Sequence, residues 1–349
     1  MTSSAPPYEA VLVLSFGGPN GPEDVVPFLE NVTRGRGIPR ERLAAVGAHY
    51  DLFGGVSPIN AANRALVAAI EADLRATGSR VPVYWGNRNW HPFLVDTLRT
   101  MADDGIGRAV CFVTSAFSSN SACRQYLDDI EAARAAVGPR APQIDKLRPF
   151  FDHPGFLEPM VENAAAAIAA LEPHLRAGAP LVFSAHSLPA AQAALCDYEA
   201  QLREASRIVA AALGGDRPWA LVYQSRSGPP TQAWLAPDVG DHLVALREAG
   251  QQAAVIVPIG FIADHVEVVY DLDIQAAAQA ADVGLTVVRA ATVGTAPAFI
   301  AMIRELIAER TEQAPRRGLS DLAPRPLACA EGCCPPPPRL SRPDRPNPA

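Results

Sequence analysis

Gly260-Phe261-Ile262-Ala263-Asp264-His265-Val266-Glu267-Val268-Val269-Tyr270-Asp271-Leu272-Asp273 stands directly behind an apolar run from Ala253 to Ile259. The run reads as a buried parallel strand ending at Pro258-Ile259-Gly260, because strands covered on both faces are near-continuously apolar. Ligands of open α/β sheets sit beyond the carboxyl ends of such strands. Here that place holds one histidine and four acids within ten residues: Asp264, His265, Glu267, Asp271 and Asp273. On a dry core face these carboxylates would lose hydration and repel one another. The stretch is therefore either a solvated, helix-capping acidic turn or one wall of a site. A second stretch, Leu181-Val182-Phe183-Ser184-Ala185-His186-Ser187-Leu188-Pro189, again runs a strand straight into a lone imidazole. Two strand ends bearing groups competent for metals and protons read as two walls of one site.

Working outward, the βα order occurs twice. Glu9 to Phe16, Val81 to Trp85 and Ala109 to Thr114 read as strands of a first half, with helices near Asp24 to Asn31 and from Arg124 to Ala136. Leu181 to Ser184, Ala220 to Tyr223 and Ala253 to Ile259 read as their counterparts, with Leu285 to Arg289 as a further strand. A helix from Glu158 to Ala170 precedes this second set and another, near 296–308, follows it. The repeat predicts an α/β protein of two Rossmann-like domains, each a parallel four-stranded sheet, related as a pseudo-twofold repeat across a cleft. The expected boundaries are 8–150 for the first domain, with part of a C-terminal helix at 296–310, then 151–295 for the second. A tail over 311–349 is rich in proline and cysteine, and proline at that density excludes helix and inner strand.

At 349 residues the chain is long for one core, and 49% hydrophobic with 19% charged residues is the composition of a soluble globular protein. A net charge of −7 without any Lys/Arg block argues against a nucleic-acid surface. No apolar run reaches the roughly 18 residues that span a bilayer, and residues 1–9 carry no signal-peptide core, so a cytoplasmic protein without a transmembrane segment is expected. Gly17-Gly18-Pro19 after the first strand is not the G-x-G-x-x-G loop of a dinucleotide site. Six cysteines in such a chain do not suit a disulfide framework. Cys111 reads as core and Cys196 as a plain helical thiol, whereas Cys123 follows a strand end and Cys329, Cys333 and Cys334 crowd into the tail. Those three alone are a weak zinc-like signal; with Cys123 they reach the four thiolates of a [2Fe–2S] centre. Arg34 and Arg36, on a glycine-bearing loop, suit either solubility or a clamp for substrate carboxylates. Ser57 reads as an N-cap with Pro58 at the first helical position. By spacing, Tyr126 is a half-exposed helix residue.

Ser184-Ala185-His186-Ser187-Leu188-Pro189, Tyr223-Gln224-Ser225-Arg226-Ser227-Gly228-Pro229 and Gly260-Phe261 through Asp264-His265-Val266-Glu267 resemble, in order, three signature segments of ferrochelatases. Those enzymes insert Fe²⁺ into a porphyrin. The resemblance extends from about Ala10 to about Ile307. Gly86-Asn87-Arg88-Asn89-Trp90 and the cysteine-rich tail are similar to the actinobacterial branch, whose members are coproporphyrin ferrochelatases. It implies the chelatase fold and a product, Fe-coproporphyrin III (coprohaem), that another enzyme decarboxylates.

The resemblance also implies roles. His186 is the base for the pyrrole protons, since imidazole titrates where the cell operates. Glu267 faces it across the cleft, binding the incoming Fe²⁺ or holding the imidazolium; so small a ligand set binds the ion weakly and can hand it on. Asp264, His265, Asp271 and Asp273 are candidates for a metal path, with His265 read rather as a structural hydrogen-bonder. The porphyrin-binding set is Phe16, Arg34, Tyr50, Ser57, Arg88 and Tyr126. Phe16 stands where some members carry an iron-approaching tyrosine and can only pack on the macrocycle, Ser57 meets a propionate, and Arg34, Arg36 and Arg88 are further propionate partners. Cys123, Cys329, Cys333 and Cys334 are assigned a [2Fe–2S] cluster that no step of insertion needs. The partners implied are the porphyrin, ferrous iron and transiently the neighbouring haem-pathway enzymes, for a chain acting as a monomer. Competing readings are a protoporphyrin IX ferrochelatase, a cobalt or other-metal tetrapyrrole chelatase, and a non-catalytic haem or iron–sulfur sensor. A sensor has no need of the His186/Glu267 pair.

Overall fold

The structure, a computed structural model, describes residues 8–35, 37–229, 231–311, 314–322 and 325–336. Its first half runs β1 (Ala10–Ser15), α1 (Pro22–Val32), α2 (Arg40–Asp51), α3 (Ile59–Ala76), β2 (Val83–Asn87), α4 (Leu94–Asp103), β3 (Arg108–Val113), a π-helical turn π1 (Asn120–Arg124), α5 (Gln125–Val137) and β4 (Gln143–Lys146). The second half runs α6 (Pro154–Ala170), α7 (Pro173–Arg176), β5 (Leu181–His186), α8 (Ala190–Ala193), α9 (Tyr198–Ala212), β6 (Trp219–Gln224), α10 (Val239–Glu248) and β7 (Ala253–Val257). One unbroken helical segment follows, α11 (Val266–Val268) through π2 (Val269–Ala276) to α12 (Ala277–Asp282), and then β8 (Thr286–Arg289) and α13 (Pro297–Thr311).

Each half is a parallel four-stranded sheet, ordered β2-β1-β3-β4 and β6-β5-β7-β8. The repeat read in the sequence is thus present in the topology: the first strand of each half lies inside, with the second on one flank and the third on the other. Alternation along each strand builds the layers. Val11 and Val13 of β1 enter a large core shared with Phe183 of β5 and Val255 and Val257 of β7. Leu12 and Leu14 face the other way, onto Leu98 of α4 and Ile130 of α5. Val182, Ala254 and Ile256 likewise meet Leu243 of α10 and Leu272 and Ala276 of π2. The shared core is pinned by rings: Phe150 lies edge-on to Phe156 (5.6 Å) and Phe299 (5.9 Å), joining the β4–α6 link to α13. Among the described residues no helix is long and apolar enough to cross a membrane.

Three local expectations change. The fourth strand of the first half, Gln143-Ile144-Asp145-Lys146, is too short and polar to show the apolar run of a buried strand, yet it pairs with β3 as an edge. The run from Ala253 stays in the ladder only to Val257, because Pro258 has no N–H to donate. Ser57 does not cap α3: Pro58 is the N-cap residue, while the Ser57 amide donates to the Pro19 carbonyl (2.9 Å) and its side chain is buried against Gly18.

Candidate active site

The carboxyl ends of β1, β5, β6 and β7 converge at one side of the cleft between the halves. His186 is the last residue of β5, and its Nδ1 lies 2.5 Å from the main-chain oxygen of Ser187. A carbonyl accepts only, so Nδ1 carries the proton and the neutral ring keeps its lone pair on Nε2. That Nε2 faces Glu267 Oε2 at 3.6 Å. Two lone-pair atoms facing each other at this distance call for a proton or a cation between them. The imidazole and carboxylate are about one-third and one-half exposed, so both remain open to substrate.

Glu267 reaches this position because the chain after β7 folds back over β5. The Gly260 amide donates to the Ser184 carbonyl (3.0 Å), and a Cβ on Gly260 would sit 2.7 Å from the Ala185 Cβ. Only glycine permits that approach. His265 then starts α11 in extended conformation, and Glu267 falls in its first turn. The acidic stretch is therefore neither all solvated cap nor all site. Arg289 grips both Asp264 (3.1 Å) and Asp273 (2.8 Å), and Thr292 also donates to Asp264 (3.3 Å). These two carboxylates share one cation of their own fold. His265 packs edge-on to Phe261 (5.3 Å) and forms no side-chain hydrogen bond among the described residues, in place of the hydrogen-bonding role expected; burial lowers its pKa. Glu267 and Asp271 are left to face the cleft. Asp271 accepts hydrogen bonds from Ser225 and Gln224, and burial, with the Glu267 charge adding to it, pushes its carboxyl up to about 6.

These two acids line an open hollow, about 70 Å³ as a cavity, with Phe16, Phe28, Tyr50, His49 and Tyr270. Its far wall is the α1–α2 hairpin, whose His49 ring stacks on Tyr270 of π2 at 3.8 Å and 13°. Phe16, 38% exposed, is available to pack on a flat ligand. Tyr50 is buried beside it, its phenol pushed up by burial and then by the Glu267 charge. Sequence alone does not single out Phe28, His49 and Tyr270 as site residues, because π2 lies far along the chain from the adjacent helices α1 and α2 and meets them only in the fold. Arg34 is exposed beyond α1 and forms no ion pair among the described residues. Arg36 lies outside the described residues.

Other expected porphyrin contacts sit elsewhere. Arg88 is only 12% exposed and is occupied by Asp129, Gln125 (3.2 Å) and the Ser121 carbonyl (3.4 Å), with its guanidinium 4.5 Å over the Tyr126 ring. Tyr126 is buried with Leu98 and Ile130 on the outer face of the first sheet, not half-exposed, and does not border the hollow. Ser57 is buried at the Gly18 turn near the mouth of β1.

The thiols form a second constellation. Cys123, in π1, lies 3.8 Å from Cys329, and Cys333 lies 3.6 Å from Cys334, sulfur to sulfur. Asn120 of π1 donates to the Cys334 carbonyl at 3.0 Å, fastening the tail to the first sheet. Hydrogen bonds from Cys329, then Cys334, hold the Cys123 thiol far below the usual range, while sharing that bond pushes Cys329 and Cys334 up. Among the described residues no three His, Cys, Asp or Glu side chains are grouped to hold a single metal ion; the four sulfurs form a chain of contacts, Cys329 and Cys334 on Cys123 and Cys333 on Cys334. Four thiols are the number of donors that a two-iron centre takes.

The ferrochelatase family profile matches residues 8–311. The chain is 53% identical to the coproporphyrin III ferrochelatase of Frankia alni, over 97% of this chain and 89% of that protein. It is 52% identical to the coproporphyrin III ferrochelatase of Mycolicibacterium smegmatis (91% and 94%) and 48% identical to the ferrochelatase of Rhodopirellula baltica (95% and 95%). In fold it is similar to the sirohydrochlorin chelatase SirB from Bacillus subtilis subspecies spizizenii in complex with cobalt, at 10% identity and a TM-score of 0.50 over 88% of this chain and 97% of that one.

Proposed function

Since the chain belongs to the ferrochelatase family, we propose that it inserts Fe²⁺ into coproporphyrin III to give Fe-coproporphyrin III. The relatives named for that substrate, about half identical over nearly the full chain, support the choice of porphyrin. The observation that carries the mechanism is the His186 Nε2 lone pair facing the Glu267 carboxylate beside an aromatic hollow.

Insertion removes two protons from pyrrole nitrogens as the ion enters, leaving the total charge of ring, ion and protons unchanged. His186 Nε2 takes a pyrrole proton, and Glu267 then holds the imidazolium it creates. Before proton transfer the same two atoms are a two-ligand perch for Fe²⁺, too incomplete to retain it. Asp271, four residues on from Glu267 and held by Ser225, is a second proton acceptor at the mouth of the site. Phe16, Phe28 and Tyr50 supply the apolar wall against the macrocycle. Arg34, exposed two residues beyond Val32 of the lining, suits a propionate. Arg88 and Tyr126, engaged with each other, steady the loop after β2 instead.

Cys123, Cys329, Cys333 and Cys334 would hold a [2Fe–2S] cluster, which supplies one-electron chemistry when bound. Their mutual sulfur contacts support the assignment. Cys123→Ser is expected to bleach the visible absorbance of the purified protein; an unchanged spectrum removes Cys123 from the ligand set.

The deciding experiment is anaerobic Fe²⁺ insertion into coproporphyrin III and protoporphyrin IX side by side, followed by absorbance. Faster turnover of coproporphyrin is the expected result. Preference for protoporphyrin overturns the substrate and keeps the enzyme class; turnover of neither, with cobalt accepted, points to another metal.

A further inference from the structure

Three features outside the reaction itself meet at one place, the first turn of α9. The first comes from the tail. Arg325, its side chain 18% exposed, donates to Asp197, the residue that begins α9, and turns its other terminal nitrogen to the Cys333 sulfur (3.9 Å). Its backbone is itself held, the Arg325 carbonyl accepting from Arg316 (2.8 Å).

The second comes from the loop that carries Cys123. Gln201 of α9 accepts from the Ser118 amide (2.8 Å) and donates to its hydroxyl (3.1 Å), all of it buried. Beside it, the Phe117 and Tyr198 rings meet edge to face at 6.2 Å. Ser119 then caps π1 through the Ala122 amide and accepts the Cys123 amide on its carbonyl.

The third leads to the active site. Tyr198, buried in that first turn, donates its hydroxyl to the main-chain oxygen of His186 at 3.0 Å. A single helical turn thus touches the loop of one thiol, the arginine beside another, and the backbone of the imidazole that faces Glu267.

We infer that the first turn of α9 is a mechanical link between the four-thiol site and His186, and that Arg325 is its positioning residue. The inference rests on the roles given above to His186 and the thiols. Whatever orders Cys333 also seats Arg325; Arg325 fixes Asp197; and the neighbouring Tyr198 fixes the carbonyl of His186, and with it the direction of Nε2. The Arg325 Nε, buried without a hydrogen-bond partner among the described residues, shows that the guanidinium is placed by its two ends rather than by its own best solvation. Asp197 is 58% exposed, so the ion pair alone is weak and the arrangement depends on both ends being engaged. No such path is needed to retain the cluster, since the Asn120–Cys334 bond does that from the other side.

Amide hydrogen exchange of the full-length, cluster-loaded protein tests this, comparing the parent with Arg325→Ala and Asp197→Asn. Asparagine still suits the start of a helix, and Asp197→Asn leaves every cysteine and the tail untouched. In both variants the amides of residues 187–198 should exchange about three- to fivefold faster, the size expected for loss of a partly exposed ion pair, with β5 and β7 unchanged. Iron insertion should slow by a similar factor in kcat, with KM for the porphyrin unaltered and the visible absorbance retained. Arg325→Lys, which keeps the charge but cannot span both partners, should fall between. Exchange at 187–198 equal to the parent in both variants, or a change confined to 314–336, overturns the link. Faster exchange at 187–198 in a protein whose parent inserts no iron leaves the link standing and removes the proposed reaction instead.

Discussion

One main-chain oxygen, that of Ser187, sets the tautomer of His186: it takes the Nδ1 proton and leaves the Nε2 lone pair toward Glu267, where the proposed reaction needs a base. His186→Ala should lower insertion by about two to four orders of magnitude, the usual worth of a positioned base, while porphyrin affinity stays within a few-fold of the parent. Fluorescence quenching of the bound porphyrin measures the second part; lost binding with residual turnover intact would contradict the role. Asp271 carries a prediction in pH. Its folded-state pKa lies near 6 against 3.8 for an unperturbed aspartate, so the folded protein binds the proton more tightly. Stability therefore falls as pH rises from about 4 to about 6, and above that the whole penalty, at most about 3 kcal/mol, is present. Asp271→Asn keeps an acceptor for Ser225 and removes the charge. Its melting temperature should exceed that of the parent at pH 7.5 and match it near pH 4. A gain that is the same at both pH values would contradict the buried-charge account.

At the scale of elements, the two π-helical turns occupy equivalent places in the repeat, each between the third and fourth strands of its sheet. One presents Cys123; the other follows Glu267 and presents Asp271. A π turn inserts a residue into the helical repeat and re-aims the side chains on it, a device common at functional sites. The second turn reaches the α1–α2 hairpin, and Gly260 lets the loop that precedes it lie on β5. Gly260→Ala places a Cβ 2.7 Å from that of Ala185 and forces the loop outward. Overpacking of this kind costs about 1–3 kcal/mol, and the displaced Glu267 should lower kcat by more than the stability loss explains. Urea unfolding and insertion rates on one preparation check this; a variant as active as the parent would show that the loop does not set the Glu267 position.

Across the whole molecule, the β4–α6 link, α13 and the tail are locked by buried charge. Arg148 forms a fork on Glu309 (2.6 and 2.8 Å), stands 3.5 Å from Asp152, and donates to the Arg317 carbonyl (2.9 Å). Leu319 donates to the Asp152 carbonyl (2.9 Å), so the tail leaves α13 in a fixed direction toward Cys123. Glu309→Gln strands the Arg148 charge in the interior and should destabilise by about 3–5 kcal/mol, whereas replacing Arg148 and Glu309 together by Met and Leu should cost much less. Chemical denaturation midpoints decide it; equal losses in both variants would mean that packing, not the stranded charge, dominates.

The two-sheet architecture was legible in the sequence, because buried parallel strands must be apolar throughout and their exits are marked by Gly and Pro. His186 at the end of β5 and Glu267 in the segment after β7 drew attention in the sequence as polar groups beyond apolar runs, and the fold brings them to 3.6 Å. Strand β4 was not legible, since an edge strand of four half-polar residues buries too little to leave a pattern. Nor could spacing tell which acids stay free: Asp264 and Asp273 are taken by Arg289, sixteen or more residues away, and only Glu267 and Asp271 reach the hollow. The same holds for Arg88, whose partners are Asp129 and the Tyr126 ring, and for the thiols, since Cys329 meets a turn 206 residues earlier in the chain. Local sequence specifies which groups can ionise, ligate or bury. Which partner satisfies each of them is decided by tertiary packing, since Coulomb and hydrogen-bond energies act over a few ångströms of space and are blind to separation along the chain.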